Sequence, residues 1–189
     1  MPPPTVLPRF HRSTHVELYP TEDKNLRARA LGPDGPVALC VSRFDCFLRL
    51  PGSTRSFAGK MDTAAYVTVI PLPQRRRMAG VVIEPLTVPP GAPACWSGVK
   101  GIAGHRVPCD FGAVWMYVVD LQMRQLLPVR VAALFPQTDI NEDQILLGTA
   151  HGVAEGRYFV ARPDSDPARR GAWLFDQPPA FDAAGDISL

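Results

Sequence analysis

Few side chains in this sequence have the types and spacing that chemistry requires, and they fall into three groups. The first is Met61-Asp62-Thr63-Ala64-Ala65, a carboxylate followed by a hydroxyl, set between two runs that read as strands. It is followed much later by an apolar run ending in glycine, Ile145-Leu146-Leu147-Gly148. Taken alone, Asp62 need only open a turn, its side chain holding nearby backbone N–H groups. The second group is Cys95, His105 and Cys109. Structural zinc takes four ligands, usually in close pairs. Neither a short pair nor a fourth ligand is evident, so the cysteines read as small apolar residues and no metal is expected. His11 and His15 would share a helix face at their spacing, yet they sit in a proline-flanked segment and read as solvated. The third group, Arg75-Arg76-Arg77, reads as a solvated helix face, with a contact to an acidic partner as the weaker alternative. There is no Gly-x-Ser-x-Gly elbow and no phosphate-binding glycine loop. Nothing favours a Ser-His-Asp or Cys-His triad.

The elements that must position these residues are short. Twenty-one prolines and 15 glycines in 189 residues are scattered without a period, so long helices, collagen and low-complexity sequence are all excluded. A hydrophobic fraction of 46% with 20% charged residues belongs to a folded chain, and the length suits one domain. A net charge of +2 argues against a nucleic-acid partner. No apolar run approaches the roughly 20 residues that cross a bilayer, so no membrane partner is expected. The four cysteines form no CxxC pair, and Met1-Pro2-Pro3-Pro4 is not a charged-then-apolar leader. These features set the expectation of a cytoplasmic protein with reduced thiols.

Along the chain, residues 1–30 read as an N-terminal arm or tail, 31–176 as one β domain and 177–189 as a C-terminal tail. Gly32-Pro33-Asp34-Gly35-Pro36 marks a turn. Strands are expected at 37–41, 44–50 and 66–70, the last from its β-branched content. Short helices are expected at 74–82 and 149–155. A strand near 114–119 should be answered by one over 126–134, where Val129, Val131 and Ala133 alternate with Arg130. A closing hairpin is expected between 158–161 and 172–175.

In this order and spacing the sequence resembles the retropepsin-like aspartic proteases, the retroviral protease family and its bacterial relatives. Asp62-Thr63-Ala64-Ala65, running into Val67-Thr68-Val69-Ile70, is similar to that family's active-site loop and the strand after it. Gly98-Val99-Lys100-Gly101-Ile102-Ala103-Gly104 stands where the family has its flap, and Leu146-Leu147-Gly148 where it has an apolar run ending in glycine. The resemblance spans about residues 36–162 and implies an all-β fold, a closed acid-protease barrel with one or two short helices. It implies catalysis by Asp62, Thr63 and Ala64, with Ala65, Gly101, Ile102, Ala103, Gly104, Leu147 and Gly148 binding substrate and no cofactor. One lobe carries one aspartate, so the resemblance implies a homodimer acting on a peptide or protein, with Asp62 on an inner loop facing a groove and Leu147-Gly148 packed directly behind that loop.

Two positions depart from the family pattern: Ala64 replaces a glycine, and Lys60 puts a charge where an apolar residue is usual. They leave open a second reading, a catalytically inactive module that binds peptides or dimerises. A third reading is an unrelated barrel with a small ligand, in which Asp62 is incidental.

Overall fold

The structure is a computed structural model that describes residues 11–22, 28–32, 35–39, 42–62, 65–93, 96, 98–100, 105–149, 153–162 and 171–189. Strands dominate it. The first five are β1 (His11–Arg12), β2 (His15–Glu22), β3 (Ala28–Gly32), β4 (Gly35–Leu39) and β5 (Ser42–Arg49). Next come β6 (Ser56–Met61), β7 (Thr68–Val69), helix α1 (Leu72–Arg75), β8 (Glu84–Pro85) and β9 (Gly98–Lys100). The long β10 (Arg106–Val119) leads to β11 (Arg124–Gln125), β12 (Val129–Pro136) and β13 (Ile145–Leu147). The chain ends with β14 (Tyr158–Arg162), β15 (Gly171–Phe175), β16 (Ala180–Phe181) and β17 (Ile187–Ser188).

Six strands close into a barrel in the order β10-β12-β7-β13-β6-β5, the fifth strand pairing back onto the tenth. Closure works because two strands change partner along their length. β10 pairs with β12 from Cys109 to Met116 and then with β5 from Tyr117 to Val119. β5 in turn gives its first half to β2 and is lined throughout its second half by β6. A closed sheet leaves no exposed barrel edge to recruit other chains.

Period-two alternation sorts the side chains, as a pleated strand requires. Phe57 and Met61 of β6 point inward, as do Val114, Met116 and Val118 of β10 and Val131, Ala133 and Phe135 of β12. They meet Leu48, Ile145 and Leu147 in the main core. A smaller cluster, Val67, Val69 and Leu134, lies apart from this core.

Residues 15–22, expected in a peripheral arm, instead form a strand of the main sheet. β2 pairs with β5 on one side and β15 on the other, and Val16 and Leu18 are fully buried. Their alternation with His15, Glu17 and Tyr19 is that of a half-buried strand, which the surrounding charged and proline residues hide. The expected closing hairpin is the antiparallel pair β14–β15, and β16 pairs with β17 within the segment read as a tail.

The expected helix at 74–82 is shorter and starts earlier. Pro71 caps it and Pro73 lies in its first turn, where a missing N–H has no intrahelical partner to lose. It ends well before Gly80, which adopts φ +83° and packs against Gly52 at φ +90°. Each of these two glycines presents a carbonyl oxygen where the other would carry a Cβ, so neither position admits a side chain. In the second expected helix, Val153 to Gly156 form a turn, and 150–152 lie outside the described residues.

If β2 is integral to the body, Leu18→Ala removes a fully buried side chain and should cost about 2–5 kcal/mol in urea denaturation. A loss under about 0.5 kcal/mol, the usual range at a surface position, would contradict this.

Candidate active site

The candidate site is built where β6 ends. Its last residue, Met61, points into the core, and the chain then leaves the sheet at Asp62, which is half-buried. The Ala65 N–H donates to the Asp62 carbonyl at 3.1 Å, closing a turn across positions 62–65. Both ends of that turn are tied to the strand behind it. Asp62 N–H donates to the Leu147 carbonyl at 3.1 Å, and Thr149 donates to the Ala65 carbonyl through its N–H at 2.9 Å and its hydroxyl at 3.2 Å.

That arrangement depends on how β13 is threaded. It lies between β6 and β7, parallel to the first and antiparallel to the second. Ile145, Leu146 and Leu147 face Gly59, Lys60 and Met61 in register. Leu147 is fully buried, and the buried Gly148 that follows has its N–H donating to Thr68 Oγ1 at 3.2 Å. A Cβ at Gly148 would stand 2.5 Å from Val67 C, 2.7 Å from Thr68 N and 2.7 Å from Tyr66 O. All three are backbone atoms that cannot step aside, so only glycine fits. Leu147-Gly148 is therefore packed directly behind the Asp62 turn.

Of the residues that sequence reasoning placed in the site, Asp62, Ala65, Leu147 and Gly148 are brought together. Thr63 and Ala64 lie outside the described residues, as do Gly101, Ile102, Ala103 and Gly104. What surrounds those last four is described. β9 pairs antiparallel with the start of β10, Lys100 opposite Arg106 and Val99 opposite Val107, so residues 101–104 join the arms of a hairpin. Val99 packs on the cluster of Val67, Val69 and Leu134, together with Leu146 and Ile140. A buried apolar cluster thus begins two residues beyond Ala65, with the hairpin arm packed on it.

Lys60 does not intrude on this cluster. Its Nζ lies 2.6 Å from Glu142 Oε2, and both side chains are mostly buried. Glu142 uses its other oxygen to accept from the N–H groups of Asp143 and Gln144, at 3.1 and 3.0 Å. The charge that departs from the family pattern is thus matched and helps hold the 137–144 loop against β6.

The arginine run is more engaged than a solvated face. Arg75 pairs with Asp110 at 2.8 Å and lies over the Phe135 ring, while Arg77 lies over Phe57. Gln137 and Arg75 hold the Asp110 carboxyl below its usual range. Among the described residues no group of three metal-binding side chains converges. Cys95 lies outside them. Cys109 is half-buried, its thiol pushed up by burial, and Sγ–H donates to the Val107 carbonyl at 3.5 Å. Comparison with protein-family models, curated proteins and solved structures finds no match for this chain.

Thr68 and Thr149 were not singled out from sequence. Thr68 did carry a signal: a lone hydroxyl in the apolar run Val67-Thr68-Val69-Ile70 needs a partner if the strand is buried. Thr68→Val keeps the shape but strips the acceptor from a buried N–H, and should lower stability by about 1–3 kcal/mol in urea denaturation. Thr68→Ser should recover most of that loss. Equal behaviour of the Val and Ser variants would contradict the role given to the hydroxyl.

Proposed function

We propose that this chain is a retropepsin-like aspartic endopeptidase that acts as a homodimer, each subunit supplying Asp62. The observation that carries the reading is the backing of the Asp62 turn by Leu147-Gly148, through a strand threaded between β6 and β7. An incidental turn aspartate has no need of such a support. The hairpin of β9 and β10 adds to it, since its connection falls at the residues that resemble a flap.

On this reading two Asp62 carboxylates meet across a two-fold axis. Like charges about 3 Å apart cannot both ionise, so the pair shares one proton and titrates as a unit. The ionised member takes a proton from the water between them, and the protonated one polarises the scissile carbonyl. Thr63 would lock the two loops together by hydrogen bonds. The substrate would lie extended, with Ile102 and its glycine neighbours closing over it to exclude water.

One observation favours a second reading, an inactive module that binds extended peptides or dimerises. Ala64 stands where the resemblance calls for glycine, and its Cβ restricts the backbone of the loop. A single experiment separates the two. Hydrolysis of a peptide library at acidic to neutral pH is expected with the wild type and is expected to vanish in Asp62→Asn. Cleavage that persists in Asp62→Asn would sink the peptidase reading. Activity that appears only in Ala64→Gly would favour the module.

A further inference from the structure

Three stretches of chain meet around one imidazole, remote in sequence from Asp62. His15 opens β2, Arg124 opens β11, and Asp120 follows the end of β10. The Asp120 carboxylate is buried and takes two hydrogen bonds from Arg124, from Nε–H at 2.8 Å and from the backbone N–H at 2.9 Å. This fixes the guanidinium, and one of its terminal nitrogens lies 2.8 Å from His15 Nε2. A guanidinium only donates and keeps its charge. Nε2 therefore accepts, and the neutral ring carries its proton on Nδ1. On β15, the Phe175 ring lies against the imidazole, centroids 5.5 Å apart.

The start of the described chain is fastened at the same place. β1 runs parallel to β11, His11 opposite Arg124 and Arg12 opposite Gln125. Ser13 N–H donates to the Gln125 carbonyl at 2.8 Å, and Asp176 N–H donates to the Thr14 carbonyl at 2.8 Å.

We propose that His15 is a proton-operated latch. Neutral, it accepts from Arg124 and holds β1 against β11; protonated, it releases that strand from the body.

A proton on Nε2 removes the acceptor and sets a second cation against Arg124. Two carboxylates would welcome the imidazolium, Asp120 and, on β2 itself, Glu17. Asp120 is already engaged by Arg124 through both oxygens. Beyond Phe175, Asp176 is matched by Arg157 at 2.8 Å. Burial first and Arg124 second outweigh the attraction, and hold His15 below its ordinary value of 6.5. The unfolded chain then takes the proton more readily than the folded one. The stability this contact contributes is complete above the unfolded value and is lost as pH falls through the lower folded value.

The test is amide hydrogen exchange on the full chain, corrected for intrinsic rates, with the Asp62 N–H as internal reference. Between about pH 7.5 and about pH 5, Ser13 protection should fall about ten-fold relative to Asp62. In His15→Gln, whose carboxamide can accept from Arg124 but does not titrate, that fall should disappear. Unchanged Ser13 protection in the wild type, or an equal fall in the variant, would overturn the latch. Should the variant not fold, ring nitrogen shifts of the wild-type His15 decide: a neutral Nδ1–H ring titrating below 6.5 supports it. A neutral Nε2–H ring, or titration at or above 6.5, refutes it.

Discussion

The close approach of backbones at Gly148 is the constraint on which the rest of the structure depends. β13 is three residues long and has a neighbour on both sides, so its ends must turn away without disturbing either. At Gly148 the chain passes so near residues 66–68 that no side chain fits, and the N–H buried there is satisfied by the Thr68 hydroxyl. Leaving such a group unpaired costs about 1–3 kcal/mol, a large share of a small domain's stability. Once that crossing is made, the positions of Asp62 and Ala65 follow, because both are hydrogen-bonded to the chain on either side of Gly148.

The barrel gives this crossing a rigid frame. Leu147 and Met61 lie side by side in register and both face the main core, so the strands behind the turn are anchored by apolar burial. On the other side of the sheet Lys60 is matched by Glu142, which also ties down the loop leading into β13. A mostly buried lysine without its carboxylate would cost far more than a surface one, so this pair supports the strand that leads into Asp62. The buried Val67, Val69 and Leu134 cluster packs beside the turn and steadies the same frame.

Much of this was legible in the residues, and the remainder was hidden for identifiable reasons. Of the strand expected at 66–70 only Thr68–Val69 pairs as one, whereas the alternation of Val131 and Ala133 against Arg130 carries a local signal that survives folding. The order of the Asp62 motif and Leu147-Gly148 was readable as a resemblance, and Asp62 does lie against Leu147-Gly148. The threading of β13 was not readable, since its pairing partners, 86 residues away in β6 and 77 in β7, leave no local trace. β2 was misread because Val16 and Leu18 alternate within a stretch of charged and proline residues that composition assigns to a tail. Helix α1 starts earlier than the expected 74–82 because Pro73, in a first turn, is compatible with a helix. His15 read as solvated because nothing in its neighbourhood points to Arg124, 109 residues away.

On the proposed reading one barrel holds half of a catalytic pair, and two chains must complete it. Mixing wild-type protein with Asp62→Asn at a fixed total concentration, after subunit exchange, tests this most directly. If each chain contributes one aspartate, cleavage follows the square of the wild-type fraction, so an equal mixture retains about a quarter of the full rate. A rate that falls in direct proportion to the wild-type fraction would mean that each chain acts alone, and would contradict the account.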